Sequence, residues 1–181
     1  MSHTGDIENR ELLQWLRSEA QRPFSGWDFS YISATGRMVE APLTWSYASK
    51  IIERLRHSNS MLDMGTGGGE FLSRLAPLPE RTHATEAHRP NVAVARERLE
   101  PLGATVHELA NEDDDLPFDD EQFDLVINRH EAYSASEVKR VLRSGSHFIT
   151  QQAGNKDNAY LRDLLGCEQP VDKSWDLGVA V

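Results

Sequence analysis

Apolar positions recur along this chain with two different periods. Leu12, Leu13, Leu16 and Ala20 fall on one side of a helical wheel, which predicts an amphipathic helix over the first twenty residues. Trp45, Ala48, Ile52 and Leu55, spaced three and four apart, predict a second helix within "LTWSYASKIIERLRH". Between them "RPFSGWDFSYISATGRM" mixes aromatics and turn formers without a period, so a loop-like cover is expected there. The pattern then changes. "SMLDM", "THATEA", "ATVHEL", "QFDLVIN" and "SHFITQQ" are short apolar runs and predict strands. Helical stretches separate or follow them: "GEFLSRLA", "PNVAVARERLEPLG", "SASEVKRVLR" and "DNAYLRDLLG".

The helix ends carry their own signals. Proline opens the second of these helices and Gly103 follows it. Ser134 and Glu137 have the spacing of a capping box, Gly145 is expected to stop that helix in the left-handed conformation, and Gly166 to stop the last. Strands alternating with helices predict an α/β fold: a Rossmann-like, doubly wound sheet of about five parallel strands with helices on both faces. Short apolar strands suit a sheet buried on both sides. Residues 1–57 are read as an N-terminal helical cover and 58–181 as the sheet domain, the two forming one structural unit.

Bulk properties narrow the classes. At 181 residues the chain is long enough for one domain with a proper core. Its formal charge of −10 repels phosphate backbones and points away from nucleic acid as a partner. A single cysteine, Cys167, forbids an internal disulfide and suggests a reducing compartment. The N-terminus lacks the basic start and apolar core of a signal peptide, and no apolar run approaches the ~20 residues of a membrane helix. A cytoplasmic protein with no membrane partner is expected. The histidines at 3, 57, 83, 88, 107, 130 and 147 show no ligand spacing, so no metal site is expected.

Chemistry concentrates in "LDMGTGGGE", residues 62–70. Glycine loses much backbone freedom on folding, so four in five positions need a reason, such as a ligand brought close to the main chain. The turn joins the first strand to a helix, where doubly wound sheets bind ligands. A dinucleotide fingerprint, G-x-G-x-x-G, would place glycine at Glu70. The spacing here is G-x-G-x-G at Gly65, Gly67 and Gly69, with Asp63 before it. By itself this is equally a tight turn that happens to be rich in glycine. Glu86 closes the second strand, where an acid can hold both hydroxyls of a ribose or simply face water.

The turn resembles motif I of the class I S-adenosylmethionine (SAM) dependent methyltransferases, of the methyltransferase type 11 kind. The likeness extends over roughly residues 45–154. "NEDDDLPFDDEQFDLVINRHE" is similar to the family stretch in which an acidic loop, "LPF", a turn and "FDLV" follow in order. "EVKRVLRSGSHFITQQ" resembles the helix, turn and fifth strand, with Ser144 and Ser146 in place of a proline and a glycine.

The resemblance implies SAM as cofactor and a small-molecule methyl acceptor. Asp63, Gly65, Thr66, Gly67 and Gly69 would face its methionine part and ribose, and Glu86 would hold the ribose. Counting back from Leu116 puts the adenine acid on Glu112, with Asp113 beside it. Asn128 would line the cavity near the sulfonium. "NRHEAY" would lie over the methyl group, so His130, Glu131 and Tyr133 are candidates for base, substrate contact or pocket wall; a loop histidine and a solvated glutamate are the blander reading. The competing functions are a SAM-binding regulatory protein without turnover, a nicotinamide-dependent dehydrogenase, and an RNA methyltransferase, which the acidic charge disfavours. The family sheet closes with an antiparallel strand pair. None is visible after Gly154, so a truncated form is expected, with the fifth strand an open edge that pairs with a second chain to give a homo-oligomer.

Overall fold

The computed structural model describes residues 3–110, 115–154 and 159–167. Helix α1 (His3–Ala20), a single turn α2 (Ser30–Ser33) and α3 (Tyr47–Leu55) precede the sheet. There follow β1 (Ser60–Met64), α4 (Glu70–Ser73), β2 (Arg81–Glu86), α5 (Arg89–Leu99), β3 (Ala104–Glu108) and β4 (Phe123–Arg129). Helix α6 (Ala135–Val141), β5 (Leu142–Gln151) and α7 (Ala159–Leu165) complete the described chain.

The sheet has five strands in the order β3-β2-β1-β4-β5. Every pairing is parallel. This is the doubly wound, Rossmann-like α/β architecture expected from the alternation of strands and helices. Strand order reverses between β1 and β4, whose registers run from Met61 opposite Leu125 to Met64 opposite Asn128. That reversal opens a crevice at the carboxyl ends of the strands.

Side chains alternate across the sheet into two cores. On one face Met61, Ala84, Val106, Leu125 and Ile127 pack with Ile51 of α3, Leu72 of α4, and Val92, Ala95 and Leu99 of α5. On the other, Leu62, Met64, Phe123 and Val126 pack with Leu116, Phe118 and the α6 residues Val138 and Val141. The first face is covered by helices throughout. Towards β2 and β3 the second is covered by His83, His107, Phe118 and Phe123, with the two imidazoles 2.9 Å apart.

Several local expectations need correction. The buried stripe of α3 is Tyr47, Ile51 and Leu55, whereas Trp45 and Ile52 are exposed. Tyr47 wins its place because its hydroxyl finds a buried partner, donating to the Asn128 carbonyl at 2.8 Å. Helix α1 forms, but Leu12, Leu13 and Leu16 on its apolar side are exposed. Ser134 Oγ accepts the Glu137 N–H, which is half of a capping box. The other half is absent, because the Glu137 carboxylate takes the Leu116 N–H at 2.9 Å and binds Arg140 at 2.6 Å. Helix α6 ends at Val141, before Gly145, and the chain enters β5 directly. Gly145 (φ +77°) lies inside that strand, in the region where the β4–β5 register shifts. The "GEFLSRLA" helix is a single turn.

The expected lack of a closing strand pair concerns residues 168–181, which lie outside the described residues. Within the described sheet β5 is an edge. Among the described residues no helix is long and apolar enough to cross a membrane, and no group of three or more His, Cys, Asp or Glu is placed to hold a metal ion.

Candidate functional site

The glycine turn hangs from β1 and β2 by short bonds. Thr66 N–H donates to the Thr85 carbonyl at 2.9 Å, and the Thr66 hydroxyl donates to Asp63 Oδ2 at 2.7 Å. The turn therefore sits at the mouth of the crevice between β1 and β4, with its acid buried beneath it. Burial pushes the Asp63 carboxyl up to about 7; the charge of Glu86 adds to this and the Thr66 hydroxyl opposes it.

What replaces the missing side chains differs along the turn. A Cβ on Gly65 would fall 2.5 Å from Glu131 Oε2, so the Glu131 carboxylate lies directly over that glycine. A Cβ on Gly67 would stand 3.4 Å from Trp27 Cβ of the cover. At Gly69 it would meet Leu99 Cγ at 2.7 Å, so this glycine lets α5 pack against the turn.

Glu86 ends β2 as expected and is buried beside the turn. Its Oε1 accepts the His88 N–H at 2.7 Å. Burial raises its carboxyl pKa, while the N–H groups of His88, Gly67 and Ala87 pull it down. Asp63, Glu86 and Glu131 thus surround one turn with three carboxylates.

Beyond β4 the picture changes. Asn128 is wholly buried, so it does not line an open cavity. Its Oδ1 accepts from Gln152 Nε2 at 2.7 Å and from the Thr150 hydroxyl at 3.3 Å, while Nδ2 is buried without a partner among the described residues. Gln152 Nε2 also donates to the Glu131 carbonyl at 3.0 Å, tying the segment that carries Glu131 to the end of β5. His130 is exposed and holds a left-handed backbone (φ +64°), unusual for a residue with a Cβ, and its N–H donates to the Gln151 carbonyl. Tyr133 turns onto Phe148, ring centroids 4.9 Å apart, and so faces the second core instead of the turn. Glu112 and Asp113 lie outside the described residues.

Glu70 is the residue whose role the sequence concealed. Its carboxylate accepts the Trp27 N–H at 3.3 Å and pairs with Arg98 at 2.7 Å, and Arg98 also donates to the Gly68 carbonyl. Gly26 approaches the turn closely enough that a Cβ on Gly68 would lie 2.9 Å from Gly26 Cα. Glu70 thereby fastens the cover to the turn and to α5. The unpaired charge in a glycine-rich stretch was the available signal.

Residues 62–150 match a family model described as a methyltransferase domain. No curated protein matches. Among solved structures, the chain is similar to the YcgJ protein of Bacillus subtilis, with a TM-score of 0.52, 22% identity, and coverage of 66% of this chain and 55% of that one. It is also similar to geranyl diphosphate C-methyltransferase from Streptomyces coelicolor A3(2), at TM-score 0.51, 17% identity, and 67% and 53% coverage. A SAM dependent methyltransferase from Aquifex aeolicus aligns at TM-score 0.48 and 22% identity over 60% and 64%. The chain thus spans about half the length of the first two, and at these identities the likeness speaks to the fold.

Proposed function

Starting from a chain whose residues 62–150 belong to the methyltransferase domain family, we propose that it binds S-adenosylmethionine at the 65–69 turn and transfers the methyl group to a small-molecule acceptor. The observation that carries this is the ring of Asp63, Glu86 and Glu131 around the turn. A cofactor with a sulfonium and an ammonium fits an anionic cradle, whereas the diphosphate of a nicotinamide dinucleotide would meet three carboxylates. Glu86 accepts the ribose hydroxyls, Asp63 and Thr66 support the turn under the methionine part, and Gly65 and Gly67 allow its approach. The acids Glu112 and Asp113 supply the adenine contact, and Asn128 fixes the floor through Gln152 and Thr150. When bound, the cofactor supplies an electrophilic methyl group for direct displacement by the acceptor.

The chain's own contribution is positioning and exclusion of water. Glu131, held by Gln152 over Gly65, orients the cation; it is also the group best placed to take a proton from an acceptor. His130 stands at the exposed rim, and Tyr133 supports the segment from behind. The test is incubation with methyl-labelled SAM and a panel of small amines, alcohols, thiols and acids. Acceptor-dependent formation of S-adenosylhomocysteine is expected. Saturable SAM binding without turnover across the panel would instead assign a regulatory SAM-binding role.

A further inference from the structure

Across Glu70 from the glycine turn, the cover and the outer sides of α4 and α5 line a second, open cavity of about 430 Å³. Its size is that of a small-ligand site. Glu70 and Arg98 on its wall neutralise each other at 2.7 Å. Two further charges are left facing the space, Asp28 from the cover and Arg74 from the end of α4. Asp28 is attracted first by Arg98 and then by Arg74, yet among the described residues neither Asp28 nor Arg74 forms an ion pair. Asp28 is held as a carboxylate: Ser30 N–H donates to its Oδ1 at 2.8 Å. Beside it Trp27 and Phe29 stand edge to face, centroids 5.6 Å apart. Aromatic faces next to a carboxylate favour an ammonium group. Arg74, with the Ser73 hydroxyl next to it on the wall, favours an oxyanion.

We propose that this cavity is a second ligand site, separate from the cofactor cradle, that takes a small zwitterion with its amine on Asp28 and the aromatic pair and its carboxylate or phosphate on Arg74. Glu70 seats Gly26 and Trp27 against the turn, so the cover that carries Asp28 is fastened beside α4, which carries Arg74 at its end. A ligand of two charges bridges them; a ligand of one charge satisfies one and leaves the other facing it. Because Glu70 lines this cavity and also fastens the cover to the turn, occupancy here steadies the seat of the cover on the turn.

The site is testable on the full chain without SAM, so its outcome is independent of the cofactor assignment. Ligand-observed NMR titration would use 4-aminobutyrate and 3-aminopropyl phosphate, with butyrate and butylamine as single-charge controls. Saturable binding of at least one zwitterion, about fivefold or more tighter than either control, is expected, and whichever of the two binds better identifies the anion. Asp28→Asn and Arg74→Met, both at exposed positions and checked for fold by circular dichroism, should each weaken it about tenfold. Absence of binding by both zwitterions, equal binding of the controls, or unchanged affinity in folded variants would overturn the site.

Discussion

Gly69 and Gly145 both hold left-handed backbone, at φ +78° and +77°, the first in the turn after β1 and the second inside β5. Their surroundings are opposite. At Gly69 the space for a side chain is already filled by Leu99, whereas at Gly145 nothing lies within 4 Å. The first belongs to the carboxyl ends of the strands, where α5, the cover and β2 converge on the turn. The second lies in β5, at the edge of the described sheet. Glycine at one site is required by packing as well as by backbone, and at the other by backbone alone. The candidate site is thus the more crowded region, and protein groups already stand beside the turn there.

The sharpest way to break this contrast is Gly69→Ala. Left-handed strain plus collision with Leu99 should destabilise the fold by about 2–4 kcal/mol, read as a fall in the urea midpoint. A loss under ~1 kcal/mol would mean that α5 yields easily and that the turn is not held as described. Next in size is Glu86→Ala, expected to weaken SAM binding by about 1–3 kcal/mol in calorimetry, with reduced discrimination against 2′-deoxyadenosine compounds. Unchanged affinity would remove Glu86 from the cradle. Gly145→Ala, strained but unopposed, should lower stability by about 1–2 kcal/mol and leave ligand binding untouched.

The smallest effect is a pH dependence set by Asp63, whose carboxyl burial raises to about 7. Between its unfolded value near 4 and that raised value, the folded chain keeps a proton the unfolded chain has lost. Its contribution to stability therefore falls as pH rises across this window and levels off above it. Ligand binding runs the other way, since a cation beside Asp63 favours the ionised acid. SAM affinity should improve roughly two- to fivefold from pH 6 to pH 8, as for a pKa lowered by about half a unit to one unit on binding. Asp63→Asn should flatten that profile; a flat profile in the unaltered protein would place the ligand's positive end elsewhere.

Much of the frame was legible because it follows from periodicity. Strands such as "QFDLVIN" are buried on both faces and read as apolar runs, and the turn at the end of β1 announced the crevice. The place of Glu86 was legible because the end of an apolar strand marks it. Other features depended on partners distant in the chain. The phase of α3 was missed because Tyr47 bonds a carbonyl 81 residues away, which hydropathy alone does not register. Glu70 looked like a departure from a glycine pattern until Trp27 and Arg98 were seen to converge on it. Gly145 looked like a helix stop because a left-handed glycine serves a strand irregularity as readily as a helix end. Tyr133 was placed near the turn by its sequence neighbours, whereas Phe148 draws it to the other core.

The central claim is that the carboxylates around the glycine turn select a cationic cofactor. Calorimetric titration of the unaltered protein with SAM and, separately, with NAD at pH 8 tests it most directly. The account predicts saturable binding of SAM at one site, with NAD weaker by roughly 100-fold, about 2.7 kcal/mol. NAD binding as tightly as SAM, or no saturable binding of SAM, would contradict it.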